Sequence, residues 1–147
     1  GNDTATAEIR VHPHPNGWVR RRRFPNNNTL LYEFRPMGPF KVGTVPVSVY
    51  LYRRNMNIPH SDPDGFPPAF DKVNLIQLNT WMPSMDHGAP GNEPARGVSG
   101  SFGHYRGQIG FNMTGDWDIY LAFVDEHSHG DHMHTDTLGR DTIKVRF

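Results

Sequence analysis

The sequence predicts an all-β domain built as a two-layered sandwich, and three observations carry that expectation. Apolar residues alternate with polar ones in several short runs, most clearly Val45, Val47, Val49 and Leu51, and again Trp117, Ile119, Leu121 and Phe123. Period two is the mark of a strand with one face buried. Gly (15) and Pro (13) are frequent for 147 residues and fall between these runs, as turn residues do. No stretch keeps a helical period over three turns.

In chain order, residues 1 to 6 are small and polar and read as a frayed end. Ala7 to Val11 is a short apolar run, broken by His12-Pro13-His14-Pro15, and Gly17-Trp18-Val19 resumes it. Asn26-Asn27-Asn28 reads as a turn, and Thr29 to Phe34 as a strand stopped by Pro36 and Gly38. Thr44 to Tyr52 is a strand, with Pro46 suited to its edge or start. Residues 55–69 form a long turn-rich loop, Phe70 to Trp81 a second strong strand, and 83–101 a loop rich in Gly, Pro, Ser and Asn. His104 to Met113 and Trp117 to Val124, joined through Gly115-Asp116, read as a β-hairpin. A His-rich loop runs from Asp125 to Asp136, and Asp141 to Phe147 closes the chain as a strand. About seven strands with turns between them predict an immunoglobulin-like β-sandwich. With no linker or repeat, 1–147 is a single domain.

Fifteen basic and fifteen acidic residues cancel. No global field draws the chain to nucleic acid or an anionic membrane. Mean hydropathy is −0.66, and no apolar run approaches the ~20 residues of a membrane span, so no transmembrane segment is expected. Cysteine is absent, which removes disulfides and thiolate metal sites and favours an oxidising compartment. Gly1-Asn2-Asp3 reads as a trimmed start that has lost an export signal or lipid anchor.

Two constellations carry chemistry. Trp81-Met82-Pro83-Ser84-Met85-Asp86-His87-Gly88 lies at a strand end. Thioethers are soft ligands and imidazole a borderline one, a set suited to Cu(I). Packing is the competing reading, because Met fills irregular gaps at the end of a sandwich. The second constellation, His127-Ser128-His129-Gly130-Asp131-His132-Met133-His134, holds four His, one Met and one Asp in eight residues, flanked by Asp125, Glu126 and Asp136. His-rich tracts suit Zn(II) or Cu(II). The competing reading is a solvated loop that binds metal only loosely.

Met82-Pro83-x-Met85-x-His87-Gly88, followed by Gly103-His104-Tyr105 and Phe111-x-Met113-x-Gly115-x-Trp117, resembles the YtkA-like/FixH-like family. The likeness runs from the Pro39-to-Gly43 opening to Val124, with Asp141 to Phe147 as a last strand. It divides the domain into an N-terminal extension, 1–38, with one or two extra strands, and a YtkA-like region, 39–147. Asp86 replaces the family's usual Gly, and neither 55–69 nor the first 38 residues find a counterpart. The resemblance implies an exported or membrane-anchored immunoglobulin-like domain, with some relatives tied to copper or cytochrome oxidase assembly.

The remaining motifs favour bland readings. His12 and His14 could lend nitrogens. Arg20 to Arg23 could meet phosphate or an acidic partner, but a solvated edge strand suits them better. His60, Asp62, Asp64 and Gly65 faintly resemble a calcium loop without its closing acid, and read as a turn. His104 could join His87 and Met113 in a third group. No nucleophile elbow, phosphate loop or HExxH pattern exists.

The expectation is thus an extracytoplasmic (periplasmic or cell-envelope) copper-handling carrier or buffer, not an enzyme. Met82, Met85, His87 and Met113 form its main copper site. His127, His129, His132, Met133 and His134 form a looser one where zinc is also suited. Expected partners are a metal ion and a membrane or periplasmic protein. The alternative is a structural or interaction domain whose MPxMxH motif packs; a copper oxidase ranks behind both.

Overall fold

The computed structural model describes residues 18–23, 29–52 and 73–147. The run at 7–11, His12 and His14, the 55–69 loop and the His60-to-Gly65 turn lie outside these residues. The described chain is all-β: β1 (Trp18–Arg23), β2 (Thr29–Pro36), β3 (Gly43–Tyr52), β4 (Leu75–Met82), β5 (His87–Gly88), β6 (Glu93–Val98), β7 (Ser101–Phe111), β8 (Asp116–His129) and β9 (His132–Arg146). Among the described residues no helix is long and apolar enough to cross a membrane.

The strands form one antiparallel sheet in the order β1-β2-β3-β7-β6-β4-β8-β9, with the two-residue β5 added to β4. The sheet curls into a half-barrel, so that Tyr32 of β2 meets Phe123 of β8 with ring centres 5.1 Å apart. The Tyr32 hydroxyl donates to Asp141 Oδ2 of β9 at 2.5 Å. The alternation read from sequence is what fills the interior. Val45, Val47, Val49 and Leu51 of β3 face Trp117, Ile119, Leu121 and Phe123 of β8, all buried. Each such side chain contributes about 1.5–3 kcal/mol on burial.

Three expectations change. The stretch 83–101 contains β5 and β6 rather than loop alone. β6 has no apolar alternation to reveal it: Ala95 is its one fully buried residue, and its pairing with β7 is interrupted by register shifts. The β7 and β8 runs do not form a hairpin. β7 pairs with β3 and β6, while β8 pairs with β4 and β9. Residues 112–115, exposed at 112–114, instead connect the two strands at the end of the half-barrel, and their buried faces meet, Phe111 lying edge-on to Trp117 at 5.2 Å. Finally, 125–136 is a strand hairpin rather than a loop.

One end of the half-barrel is closed by aromatic rings. Phe111 contacts Phe40, Phe147 and Trp117 at 4.9–5.6 Å, and Trp18 stacks on Phe40. Beside this plug, residues 89–92 cross over β4 and β7. Asn92 Oδ1 accepts from Gly110 N at 2.9 Å, and the buried Thr80 hydroxyl donates to the Gly110 carbonyl at 2.6 Å. Gly110 is required by this crossing, since a Cβ there would overlap the Pro90 carbonyl.

On the outer face, the His104 ring stacks on Tyr50 at 4.3 Å, and Arg35 covers the same tyrosine. His104 Nε2 is 3.0 Å from Ser48 Oγ. Burial, then the positive charges of Arg106 and Arg35, hold His104 below the ordinary imidazole value of 6.5.

Two outcomes follow from this packing. Gly110→Ala overpacks the crossing and lowers stability by about 1–3 kcal/mol in urea unfolding; an unchanged midpoint would show that 89–92 yields freely. His104 titrates below 6.5 in NMR. A depressed folded value means the unfolded chain binds the proton first, so the stability His104 contributes is full above pH 6.5 and is lost as pH falls through its folded value.

Candidate metal centre

β8 is long enough to run past the body of the half-barrel. Trp117, Ile119, Leu121 and Phe123 line the interior, and by period two Asp125, His127 and His129 continue that same face beyond the core. The return strand is paired Asp125↔Asp136, Glu126↔Thr135, His127↔His134, Ser128↔Met133 and His129↔His132. Cross-strand partners share a face, so Asp125, His127, His129, His132, His134 and Asp136 all stand on one side of the ribbon. The rings bear this out: His127 and His134 stack at 5.8 Å, and His129 meets His134 edge-on at 5.4 Å.

Two features set this register. Only Gly130 and Asp131 separate the paired His129 and His132, and Gly130 takes φ +65°, which a two-residue turn favours and other L-residues resist. The resulting pairing leaves one residue surplus on β9. Phe123 pairs with Gly139 but Val124 with Thr137, and Leu138 is the bulge between them. Slid by one residue without the bulge, the ribbon would pair Asp125, His127 and His129 with Thr137, Thr135 and Met133, scattering the ligands over both faces.

The base of the hairpin is held by Asn74. Its amide donates to the Glu126 carbonyl at 2.8 Å and accepts from Glu126 N at 2.9 Å, extending the β4 edge by one side-chain pairing. The exposed Arg96–Glu126 ion pair at 3.7 Å adds little.

Just above this base, Asp125, His127 and Asp136 bring one ligand atom each within 4.8 Å of one another. Asp125 Oδ1 lies 3.6 Å from His127 Nδ1. That is close enough for attraction but too long for a hydrogen bond, and among the described residues this buried nitrogen has no hydrogen-bond partner. Two ligands on a tetrahedral ion at 2.0–2.1 Å stand about 3.3 Å apart, close to this 3.6 Å separation. Together, Asp125, His127 and Asp136 form a group that could hold a metal ion. Sequence reading placed these two acids only as flanks of the His tract; the signal it lacked was the register that puts them on the His face. Met133 pairs with Ser128 on the opposite face and is 64% exposed.

The MPxMxH residues lie at the other end of β8. Met82 is buried in the core, with its methyl against Gly115. The chain then turns tightly, with Met85 N and Asp86 N both donating to the Met82 carbonyl, and Asp86 adopts φ 55°. That left-handed position explains why a Gly suits it and why Asp is tolerated. Met85 is 55% exposed and Met113 37%. His87 lies edge-on to Trp117 at 5.9 Å, and the Trp117 indole donates to the Met113 carbonyl at 3.0 Å. Met85, His87 and Met113 therefore share one end of the sheet, while Met82 packs beneath it. His104 is seven residues from the end of β7, about 23 Å from this group. From Trp117 to His127 the distance along β8 is about 33 Å.

No curated protein and no solved structure matches the chain. The model of the YtkA-like family matches residues 55–122, just under half of the chain. The match takes in the 55–69 loop, for which sequence reading had found no counterpart; it begins after 39–54 and ends before the His hairpin. It spans the Met82-to-Gly88 and Phe111-to-Trp117 motifs, and over residues 55–122 the chain is similar to the YtkA-like family.

Proposed function

We propose that this protein is a non-catalytic, extracytoplasmic metal-handling domain, a carrier or buffer, that takes a divalent ion on the β8–β9 hairpin. The observation that supports this most is the Asp125, His127 and Asp136 group, with one ligand atom from each within 4.8 Å and the buried His127 Nδ1 3.6 Å from Asp125 Oδ1. Two carboxylates and an imidazole suit Zn(II) or Cu(II). The acids offset the ion's charge, and the half-exposed position leaves coordination open for release, as a carrier requires. A membrane or periplasmic protein is the proposed recipient.

A second reading retains Cu(I) at the opposite end. It is favoured by the exposed thioethers of Met85 and Met113 near His87. Met82, being core, serves packing there, as the interaction-domain alternative holds for the whole motif.

Calorimetric titration of the metal-stripped protein with Zn(II) and Cu(II) tests the main reading. Asp125→Asn with Asp136→Asn is expected to weaken binding by roughly 10–100-fold or more, the range that lesser outer-shell losses already reach, with the fold intact by circular dichroism. Met85→Leu with Met113→Leu leaves divalent binding unchanged and lowers only Cu(I) uptake. Divalent binding that is indifferent to the Asp pair would remove the Asp125, His127 and Asp136 group from the function.

A further inference from the structure

We propose that the ion works as a clasp: the β9 arm of the hairpin, residues 132–137, opens when the site is empty and closes on β8 when metal binds. This rests on the metal-binding reading above and names the change of shape that loading produces.

The two arms are held differently. On the β8 side, the Asn74 backbone N–H donates to the Val124 carbonyl at 3.1 Å, and the Asn74 side chain pairs twice with the Glu126 backbone. Asp125 and His127 flank Glu126, so both stand on the anchored arm. β9 ends the strand order, and among the described residues it pairs with β8 alone. Every residue from Ser128 to Thr137 is exposed. No buried apolar side chain therefore holds the return arm until Leu138 packs against the core. A two-stranded ribbon without such burial is marginally stable in water, and segments of this kind open locally while the core stays folded.

The third ligand, Asp136, stands on that free arm, directly opposite Asp125. One carboxylate oxygen from each lies within 4.8 Å of the other. Like charges placed directly opposite weaken strand pairing. The Asp125 side chain is only 20% exposed, so solvent screens this repulsion less than it would between two surface groups. An empty site thus pushes the arms apart at the base of the ribbon. A divalent ion between the carboxylates reverses the sign and ties the free arm to the anchored one. If the ion binds the closed form alone, closure is favoured about 100-fold more once its free concentration reaches one hundred times Kd. Loaded and empty protein then differ in shape at an exposed sheet edge, which gives a recipient a means of telling them apart.

Hydrogen exchange of the full metal-stripped chain, with and without Zn(II), tests the clasp, with calorimetry reading Zn(II) binding in parallel. Zn(II) at one hundred times Kd is expected to slow exchange of the 127–135 amides about 100-fold and to leave Ile119 and Leu121 unchanged. Asp136→Asn removes the repulsion together with a ligand. Its metal-free hairpin should exchange roughly 1.5–5-fold more slowly than the parent's and should not respond to Zn(II). A residue that merely supported the ribbon would give the opposite sign, and faster exchange in the metal-free variant overturns the proposal. Zn(II) binding with no change in hairpin protection overturns the clasp while sparing the metal-binding reading. No Zn(II) binding at all overturns both.

Discussion

The register of β8 against β9 is the constraint on which the candidate site depends. It is fixed at one end by the two-residue Gly130-Asp131 turn and at the other by Phe123 and Gly139 in the core, with Leu138 absorbing the mismatch as a bulge. A one-residue slip exchanges the faces of a strand. Six His and Asp side chains on one face are thus a consequence of turn geometry rather than of composition. The same strand that buries Trp117 and Phe123 presents Asp125 and His127, so the rigidity of the core is passed to the base of the ribbon, where Asn74 adds a second anchor.

The molecule has two chemically distinct ends. At one, aromatic rings close the half-barrel and the YtkA-like motifs converge, with Met82 inside and Met85 and Met113 outside. At the other, the hairpin extends beyond the matched region. The ~33 Å between them along β8 rules out one shared coordination sphere. The soft thioethers and the oxygen–nitrogen set would also prefer different ions and oxidation states.

Much of this was legible in the residues. The alternations at Val45 to Leu51 and Trp117 to Phe123 announced β3 and β8, and the MPxMxH and FxMxGxW motifs announced the YtkA-like match. What escaped was whatever depends on partners distant in sequence. β6 buries Ala95 alone and has no period to read. Phe111 and Trp117 flank a short Gly-containing turn as a hairpin would, yet they face each other across the interior. The His tract reads as loop because His, Ser, Gly and Asp are poor strand formers, and only pairing with an established β8 makes it a strand. Asp125 and Asp136 were visible as acids, but their face was not.

The most direct measurement is a Zn(II) titration of the metal-stripped protein followed through its imidazole nitrogens by long-range proton–nitrogen NMR. His127 should respond with the other hairpin imidazoles, while His87 and His104 stay unmoved. A response led by His87, with the hairpin nitrogens silent, would contradict the hairpin as the metal centre and return the site to the MPxMxH end.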